Sequence, residues 1–337
     1  MDHATNDRSG LPMERLLYEV KKVIVGQDNL LERLVVALLA RGHLLVEGVP
    51  GLAKTMAIKT LADAVGGTFR RIQFTPDLVP ADLVGTRIYN QKTGEFTTSL
   101  GPVFTNLLLA DEINRAPAKV QSALLEVMQE RQVTIGHESH PVPDPFLVLA
   151  TQNPIETEGT YALPEAQVDR FMMKVLVGYP SSTEEYAIVE RMTGALERVQ
   201  QVLSTDDLLR LQREVDRVYA DPALFDYAVR LVTASRRPKD FGMPELERYI
   251  TFGASPRASI NLILTGRALA YVRGRSYVLP TDISDIARDV MRHRLVLSFE
   301  ALSDNIAPDN ILSSILTRVP APTVPLRESS DGRVVRA

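Results

Sequence analysis

The sequence contains no cysteine, which excludes disulfide bonds, thiolate zinc sites and cysteine nucleophiles. Histidine is also scarce, with five residues, and we find neither a Ser/His/Asp set nor a zinc-ligand spacing among them. His137 and His140 lie close together but without supporting ligands, so we interpret them as surface polar residues. The chemistry of this chain must therefore depend on other residue types.

A basic region and a long apolar run are missing as well. The net charge is −4 and neither half of the chain has an excess of lysine and arginine, which argues against non-specific nucleic-acid binding. The adjacent cations Arg70 and Arg71 are interpreted as solvated. The apolar run Leu34–Ala40 is too short to span a bilayer, and the polar start Met1–Asp7 is unlike a signal peptide. We expect a cytoplasmic protein without membrane insertion.

The remaining pattern predicts two domains in a chain of 337 residues. Residues 11–180 alternate short apolar runs with helical patterns, which is typical of a parallel sheet flanked by helices. The predicted strands are His43–Val46, Phe69–Phe74, Leu107–Asp111, Phe146–Thr151 and Met172–Val177. Residues 181–318 have helical periodicity throughout and predict an all-helical domain. Residues 1–10 are predicted to be a disordered N-terminus, and residues 319–337 a flexible tail.

Two polar stretches interrupt the alternation of strands and helices. Arg87–Thr98 contains a hairpin-like turn. Gln132–Pro145 alternates Val133 and Ile135 and then becomes rich in proline. We predict that both are insertions outside the core of the sheet domain.

The segment Gly48–Thr55 has the character of a phosphate-binding loop. It follows an apolar strand and precedes a predicted helix, Met56–Val65, whose N-terminal N–H groups and dipole would favour phosphate. In such a loop Lys54 reaches the β- and γ-phosphates, and the hydroxyl of Thr55 holds Mg²⁺. Ala53 stands where the general pattern requires glycine, and an alanine there can still donate its N–H if its φ is negative. Taken alone, the segment has a chance turn as its alternative.

Two further predicted strands end in polar side chains. The run Asn106–Ala110 ends in Asp111 and Glu112, an arrangement that is costly unless the carboxylates are used. In a nucleotide-hydrolysing site the aspartate binds Mg²⁺ and the glutamate deprotonates the attacking water. A strand that exits into solvent is the alternative, and the phosphate loop upstream argues against it. Asn153 follows the next strand, where its amide could hold water or the γ-phosphate, or could belong to a turn before Pro154.

Two arginines are candidates for stabilising phosphate charge. Arg170 ends a helix-like segment, where its guanidinium could reach the γ-phosphate of a neighbouring subunit or pair with a carboxylate nearby. Arg257 lies in the first turn of a helix that Ser255 and Pro256 begin. A cation is misplaced at a helix N-terminus unless an anion lies near it, so a phosphate is a reasonable partner.

Taken in order, these motifs resemble those of the MoxR family of AAA+ ATPases over about residues 11–316. The motifs that carry the resemblance are Val25-Gly26-Gln27, Glu47–Thr55, Leu109–Ala116, Ala150–Pro154, Leu163–Phe171 and Gly253–Ala258. Alanine at position 53 is the usual form in this family, so Ala53 departs only from the general pattern. The resemblance implies an AAA+ α/β P-loop domain with a C-terminal helical lid.

The resemblance also implies a role for each site residue. Catalytic roles fall on Glu112 of the Walker B motif, on Asn153 as sensor 1, on Arg170 as arginine finger and on Arg257 as sensor 2. Thr55 and Asp111 match the residues that hold the metal. Nucleotide contacts are implied for Val25, Gly26, Gly48, Val49, Pro50, Gly51, Leu52, Ala53, Lys54, Thr55 and Met56. The two insertions match the helix-2 insert and the pre-sensor-1 hairpin of the family.

The implied activity is Mg²⁺-dependent ATP hydrolysis that remodels or activates a protein client. Such proteins assemble as hexameric rings and work with partners that contain a von Willebrand factor A domain. Three alternatives stay open: a DNA-acting AAA+ motor, the motor subunit of a complex resembling magnesium chelatase, and a catalytically silent nucleotide switch. The acidic charge balance and the lack of cations in Gln132–Pro145 after its first residue argue against DNA.

Overall fold

The computed structural model describes residues 11–49, 51–92, 94–154, 160–194 and 197–323. The strands are β1 Leu44–Gly48, β2 Phe69–Gln73, β3 Gly85–Asn90, β4 Glu95–Leu100, β5 Leu107–Asp111, β6 Gln132–Ile135, β7 Glu138–Pro141, β8 Leu147–Gln152, β9 Met173–Val177, β10 Ile250–Phe252 and β11 Val296–Leu297. The helices are α1 Leu11–Val23, α2 Asp28–Leu39, α3 Lys54–Ala64, α4 Pro80–Val84, α5 Ala118–Glu130, α6 Glu165–Val168, α7 Ser182–Thr193, α8 Thr205–Asp216, α9 Pro222–Arg236, α10 Pro256–Val272, α11 Pro280–Met291, α12 Phe299–Ser303 and α13 Pro308–Arg318.

The main sheet has the strand order β2-β5-β8-β1-β9. The pairs β2/β5, β5/β8 and β8/β1 are parallel. Leu107–Ala110 of β5 and Leu147–Thr151 of β8 are buried, as expected for strands that are covered on both faces. Because parallel strands end at the same edge of a sheet, Gly48, Asp111 and Gln152 are brought to one edge.

A buried histidine joins the sheet to a neighbouring helix. The backbone N–H of Val148 in β8 donates to Nδ1 of His43 over 3.0 Å, and Nε2 of His43 lies 3.2 Å from the carbonyl oxygen of Met128 in α5. Since Nδ1 accepts, the ring proton belongs on Nε2. Burial lowers the pKa of His43 to about 3, so the ring is neutral at physiological pH.

The two interruptions in the sheet pattern form separate antiparallel hairpins, β3/β4 and β6/β7. The first hairpin is largely exposed, in agreement with the prediction that it lies outside the core. For the second hairpin the prediction is wrong on one face, because Val133 and Ile135 are buried and belong to the hydrophobic core of the sheet domain. The alternation of a strand explains the difference, since every second side chain of β6 points inward.

The chain forms two compact units, one of Pro12–Phe171 with Val175–Leu211, the other of Met172–Lys174 with the described residues from Gln212 onward. The predicted domain limits 11–180 and 181–318 stay predictions. From Gln212 onward the described part of the second unit is mainly helical and contains the short antiparallel pair β10/β11. Within it, the predicted helix start is observed, because α10 begins at Pro256 and the Oγ of Ser255 accepts the N–H of Arg257.

A buried carboxylate joins two helices of the second unit. Asp282 in α11 is fully buried and accepts hydrogen bonds from both Nη atoms of Arg275, over 2.7 and 2.5 Å. Arg273, at the end of α10, adds a third contact over 3.2 Å. Among the helices of the described ranges, none combines the length and apolar character needed to cross a membrane.

Candidate active site

The predicted phosphate loop joins β1 to α3 at the carboxyl edge of the sheet. Lys54 is the first residue of α3, and its Nζ donates to the carbonyl oxygen of Gly48 over 2.6 Å. Burial lowers the pKa of Lys54, while Asp111, Glu112 and Glu47 act in the opposite direction. The ammonium is therefore held at the mouth of the loop.

Ala53 has an unexpected backbone conformation. Its φ is +55°, in the left-handed region, so the condition of a negative φ that we placed on an alanine here is wrong. The left-handed region is the one that glycine enters without cost, which explains why the general pattern has glycine at this position. Gly51 also has a positive φ of +83°. The turn before α3 therefore requires two residues with positive φ, and an alanine fills one of them at a cost.

The carboxylate pair lies at the end of β5, beside the loop. The hydroxyl of Thr151 donates to Oδ1 of Asp111 over 2.6 Å and accepts the N–H of Glu112 over 2.8 Å. Glu112 has a φ of +56°, an uncommon conformation for a residue with a side chain. Strained positions of this kind cluster at functional sites because the surrounding structure must hold them in place.

One cavity of about 410 Å³ collects many of the predicted site residues of the first unit. Its lining includes Lys54 and Thr55 from the loop, Asp111 and Glu112 from β5, and Asn153 after β8. Asn153 is buried, with 8% of its surface exposed. The sheet topology explains the convergence, because β1, β5 and β8 are neighbours and end at the same edge.

A chain of hydrogen bonds around the carboxylates was not anticipated. Arg71 of β2 donates from Nη2 to Asp111 over 2.7 Å and to Oε1 of Gln73 over 2.9 Å. Gln73 then donates from Nε2 to Oε2 of Glu112 over 2.6 Å, and Nε of Arg115 lies 3.0 Å from the same oxygen. Arg71 is exposed, as its interpretation as a solvated residue requires, but it also pairs with Asp111, which sequence reasoning did not anticipate. The two carboxylates are linked to each other through Arg71 and Gln73.

A second cavity of about 210 Å³ lies beside the loop and is mostly apolar. Val25 lines it, together with Leu52 and Ala53 of the loop and Met56 of α3. Gly26 lies next to it with a φ of +66°, and a Cβ there would come within 2.7 Å of the carboxylate of Glu184. Helix α7 contributes further lining residues that sequence reasoning missed, namely Ile188, Arg191 and Met192. The volume and the apolar lining suit an apolar ring system such as a nucleobase.

The two predicted arginines are exposed and are not among the residues that line these cavities. Arg170 follows α6 and lines neither cavity. Arg257 belongs to the first turn of α10 in the second unit. Their roles stay predictions. Pro50, predicted as a nucleotide contact, lies outside the described residues.

The donors at this edge fit a small hard cation. Among the described residues no cluster of three or more His, Asp or Glu could hold a metal by itself. Asp111 and Thr55 line the same cavity and offer oxygen atoms. Mg²⁺ is commonly bound by one or two carboxylates together with substrate phosphates and water, so a site with few protein ligands is what such an ion requires.

Comparisons with known proteins agree on a family. The family described as "ATPase family associated with various cellular activities (AAA)" matches residues 43–173, and an AAA lid domain matches residues 245–315. The Chaperone MoxR1 of Mycobacterium tuberculosis is 58% identical over 312 residues, which cover 93% of this chain and 83% of that protein. This chain belongs to the MoxR family of AAA+ ATPases.

Two other matches extend over nearly the whole chain. Protein MoxR of Methylorubrum extorquens is 31% identical over 325 residues, which cover 90% of this chain and 93% of that protein. The crystal structure of a candidate ATPase from Cytophaga hutchinsonii has a TM-score of 0.88 and 47% identity, and covers 94% of this chain and 96% of that one. The predicted family and fold class are therefore confirmed, and the family implies that this chain binds nucleotide.

The residues missed by sequence reasoning share one property. Arg71, Gln73 and Thr151 lie within their strands, so the search for polar residues that follow a strand did not select them, although Thr151 belongs to the segment Ala150–Pro154. The alternation of β2 was the available signal, because Arg71 and Gln73 are polar and share one face of a strand. That signal becomes informative only when β2 is known to lie beside β5.

Proposed function

We propose that this MoxR-family chain is a Mg²⁺-dependent ATPase that cuts ATP at the interfaces between subunits of a hexameric ring. One observation carries the proposal. Lys54, the pair Asp111 and Glu112, and Asn153 line a single cavity at the carboxyl edge of the sheet. A phosphate-binding lysine, a metal-binding carboxylate, a base and an amide are the set of groups that hydrolysis of a phosphoanhydride needs.

The loop side of the cavity holds the phosphates. Lys54 reaches the β- and γ-phosphates, and the N–H groups at the start of α3 donate to phosphate oxygens. Thr55 and Asp111 hold the metal, and Thr151 fixes the orientation of Asp111 by its hydrogen bond to Oδ1. When bound, Mg²⁺ supplies positive charge to the phosphate oxygens. The second cavity beside Val25 receives the adenine.

The far side of the cavity activates water. Glu112 accepts the proton of the attacking water, and the amide of Asn153 orients that water toward the γ-phosphate. Gln73 and Arg115 hold Oε2 of Glu112, which keeps the carboxylate beside the cavity. We assign the proton transfer to Oε1.

Two arginines complete the site from outside the cavity. Arg170 is exposed, so in a ring it is accessible to the γ-phosphate of the adjacent subunit, where its charge would stabilise the transition state. Arg257 acts as the sensor 2 residue of the lid. The work of hydrolysis goes to a protein client, with a partner that contains a von Willebrand factor A domain. The mycobacterial relative is named a chaperone, which supports a client of this kind.

The first test asks whether the segment Gly48–Thr55 binds nucleotide or is a chance turn. Lys54→Ala in the full chain should abolish binding of a fluorescent ATP analogue, because the phosphate cation is lost. Lys59→Ala is the matched control, since Lys59 lies on the same helix α3 but is exposed and lines neither cavity. Equal affinities in the two variants would contradict the assigned loop.

A second test addresses the interface. Arg170→Ala and Lys54→Ala subunits should each be inactive alone and should recover part of the ATPase activity when mixed, because some hybrid interfaces join an intact loop to an intact arginine. Crosslinking must first establish that both subunits enter the same rings. Mixed rings without any recovered activity would contradict the action of Arg170 in trans.

A third measurement separates the protein-remodelling ATPase from its alternatives. The β6/β7 hairpin, Gln132–Pro141, contains no lysine or arginine that could contact DNA phosphates. We therefore expect the same turnover with and without duplex or single-stranded DNA. Strong stimulation by DNA would favour a DNA-acting motor, and no turnover under any condition would favour a silent switch.

A further inference from the structure

Arg71 binds the carboxylate to which we assign the metal. Its Nη2 and Nε both donate to Oδ2 of Asp111, over 2.7 and 3.1 Å. The other oxygen, Oδ1, accepts the hydroxyl of Thr151. A carboxylate oxygen has two lone pairs, so the guanidinium of Arg71 uses the accepting capacity of Oδ2 in full. A cation that coordinates Oδ2 must displace this arginine.

The ion pair between Arg71 and Asp111 can separate because water reaches both side chains. The Asp111 side chain is 19% exposed and that of Arg71 is 49% exposed, so water can replace the partner of each group. Ion pairs that water can reach contribute little to stability, so exchange of the partner costs little. Arg71 also lines the same cavity as Lys54 and Thr55, so the guanidinium stays within the site after it leaves the carboxylate.

We propose that Arg71 and Mg²⁺ compete for Asp111, and that Arg71 thereby raises the Mg²⁺ concentration that the nucleotide site requires. This inference rests on the proposed function, in which Asp111 is the metal-binding carboxylate. Arg71 is a residue that sets metal affinity through Asp111. It holds the carboxylate in position and neutralises its charge, and it yields to the doubly charged ion that arrives with the phosphates.

The neighbouring residue offers a matched control. Arg70 precedes Arg71 in β2, and because successive side chains of a strand point to opposite faces, it lies on the other side of the strand. It lines a different cavity, together with Leu100, Gly101, Pro102 and Phe104. Arg70→Gln removes the same charge from the adjacent position without touching Asp111.

The experiment uses the full chain, as wild type, Arg71→Gln and Arg70→Gln. Binding of a fluorescent ADP is followed while Mg²⁺ is titrated, and the half-maximal Mg²⁺ concentration is compared between proteins. We expect Arg71→Gln to lower this concentration by about fivefold, the upper end for an exposed pair, and Arg70→Gln to leave it within about twofold. The affinity for ADP in EDTA is measured in parallel, since a general loss of positive charge weakens anion binding with and without metal.

The possible outcomes distinguish a failure of the proposed metal site from a failure of the proposed competition. A wild-type chain whose ADP binding ignores Mg²⁺ would overturn the proposed metal site, and this inference with it. A wild-type response to Mg²⁺ with an unchanged or higher midpoint in Arg71→Gln would overturn the competition alone. Equal shifts in both Gln variants would also overturn it, because the cause would then be net charge.

Arg71→Lys is the second variant and decides the matter if Arg71→Gln fails to fold, as checked by thermal unfolding. Lysine retains the charge but cannot place two fixed donors on Oδ2. We expect a midpoint between those of the wild type and Arg71→Gln. A midpoint equal to that of the wild type would contradict a role for the paired hydrogen bonds.

Discussion

Two aspartate–arginine clusters in this chain have the same chemistry and opposite surroundings. At the edge of the main sheet, Asp111 and Arg71 are 19% and 49% exposed and line a cavity. In the helical unit, Asp282 is fully buried and is bound by Arg275 and Arg273. The buried cluster is satisfied on both oxygens and joins α10 to α11, whereas the exposed pair lies where a ligand can enter.

The buried pair is therefore suited to stabilising the fold, and the partly exposed pair is suited to exchanging its partner for a ligand. When a buried charged group loses its ionic partner, no water is available to solvate the group. Buried ion pairs therefore do not exchange their partners. A half-exposed charge can exchange one partner for another at little cost, and this is what binding of a metal or a phosphate requires. The following changes test that separation, and the first has the largest expected effect.

Glu112→Gln should reduce ATP turnover by at least about 100-fold, because the proposed general base is lost, while ATP affinity and thermal stability stay near the wild type. Steady-state turnover, binding of a fluorescent ATP analogue and thermal unfolding measure the three quantities. Glu126→Gln on the exposed face of α5 is the control and should change none of them. Turnover of Glu112→Gln at the wild-type rate would remove Glu112 as the base.

Asp282→Asn should have the opposite profile and lower the free energy of unfolding of the helical unit by about 3 kcal/mol. The cause is that Arg275 keeps its charge in a part-buried position without a carboxylate. Denaturant unfolding measures the loss. Asp285→Asn is the control, since Asp285 is 44% exposed and shares Arg273, so its loss should stay below about 1 kcal/mol. Similar losses in the two variants would contradict the argument from burial.

The contrast between buried and exposed titratable groups should also be visible in the pH dependence of the free energy of unfolding. The pKa of His43 is about 3 in the folded chain, below its ordinary value of 6.5. The folded state therefore resists protonation, so stability is full above pH 6.5 and falls as the pH drops from 6.5 toward 3. Between pH 7 and pH 5 the expected loss is about 2 kcal/mol.

Denaturant unfolding at several pH values measures this slope. It should flatten in His43→Gln, which has no titratable group at that position. His137→Gln is the control, because His137 is exposed and its loss should leave the slope as in the wild type. A slope that persists in His43→Gln would assign it to other groups.

Ala53→Gly should have the smallest effect and a positive sign, raising the free energy of unfolding by about 1 kcal/mol. Glycine adopts the observed φ of +55° without the strain that a Cβ imposes. Ala57→Gly within α3 is the control and should destabilise by about 1 kcal/mol or more, since glycine is unfavourable inside a helix. Thermal and denaturant unfolding measure the gain in Ala53→Gly and the loss in Ala57→Gly. A loss of stability in Ala53→Gly would contradict the assigned strain.

Much of the fold was predictable because it depends on local patterns. The strand Leu107–Asp111 was predicted with the observed limits, and the helix after the phosphate loop begins two residues earlier than predicted, at Lys54. Apolar runs identify buried parallel strands, since both faces of such strands are covered. Polar residues at the ends of those strands identified the carboxylates and Asn153.

The backbone of the loop and the hydrogen bonds of the site were not predictable in this way. The positive φ of Ala53 follows from how β1 must turn into α3, and alanine itself does not indicate it. Arg71 and Gln73 contact the carboxylates because β2 pairs with β5 in a register that places Gln73 opposite Asp111. Pairing between strands that are distant in sequence leaves no local signal in either strand.

The sequence alone determined the classes of residue present, the order of the motifs and the apolar periods, because these are properties of short segments. Tertiary structure decided which of these segments meet. It placed three strand ends at one edge, buried Asp282 and left Asp111 partly exposed, although both are aspartates with arginine partners. The physical reason is that burial and contact depend on packing between distant segments, and the same pair of charges becomes structural or exchangeable according to the water around it.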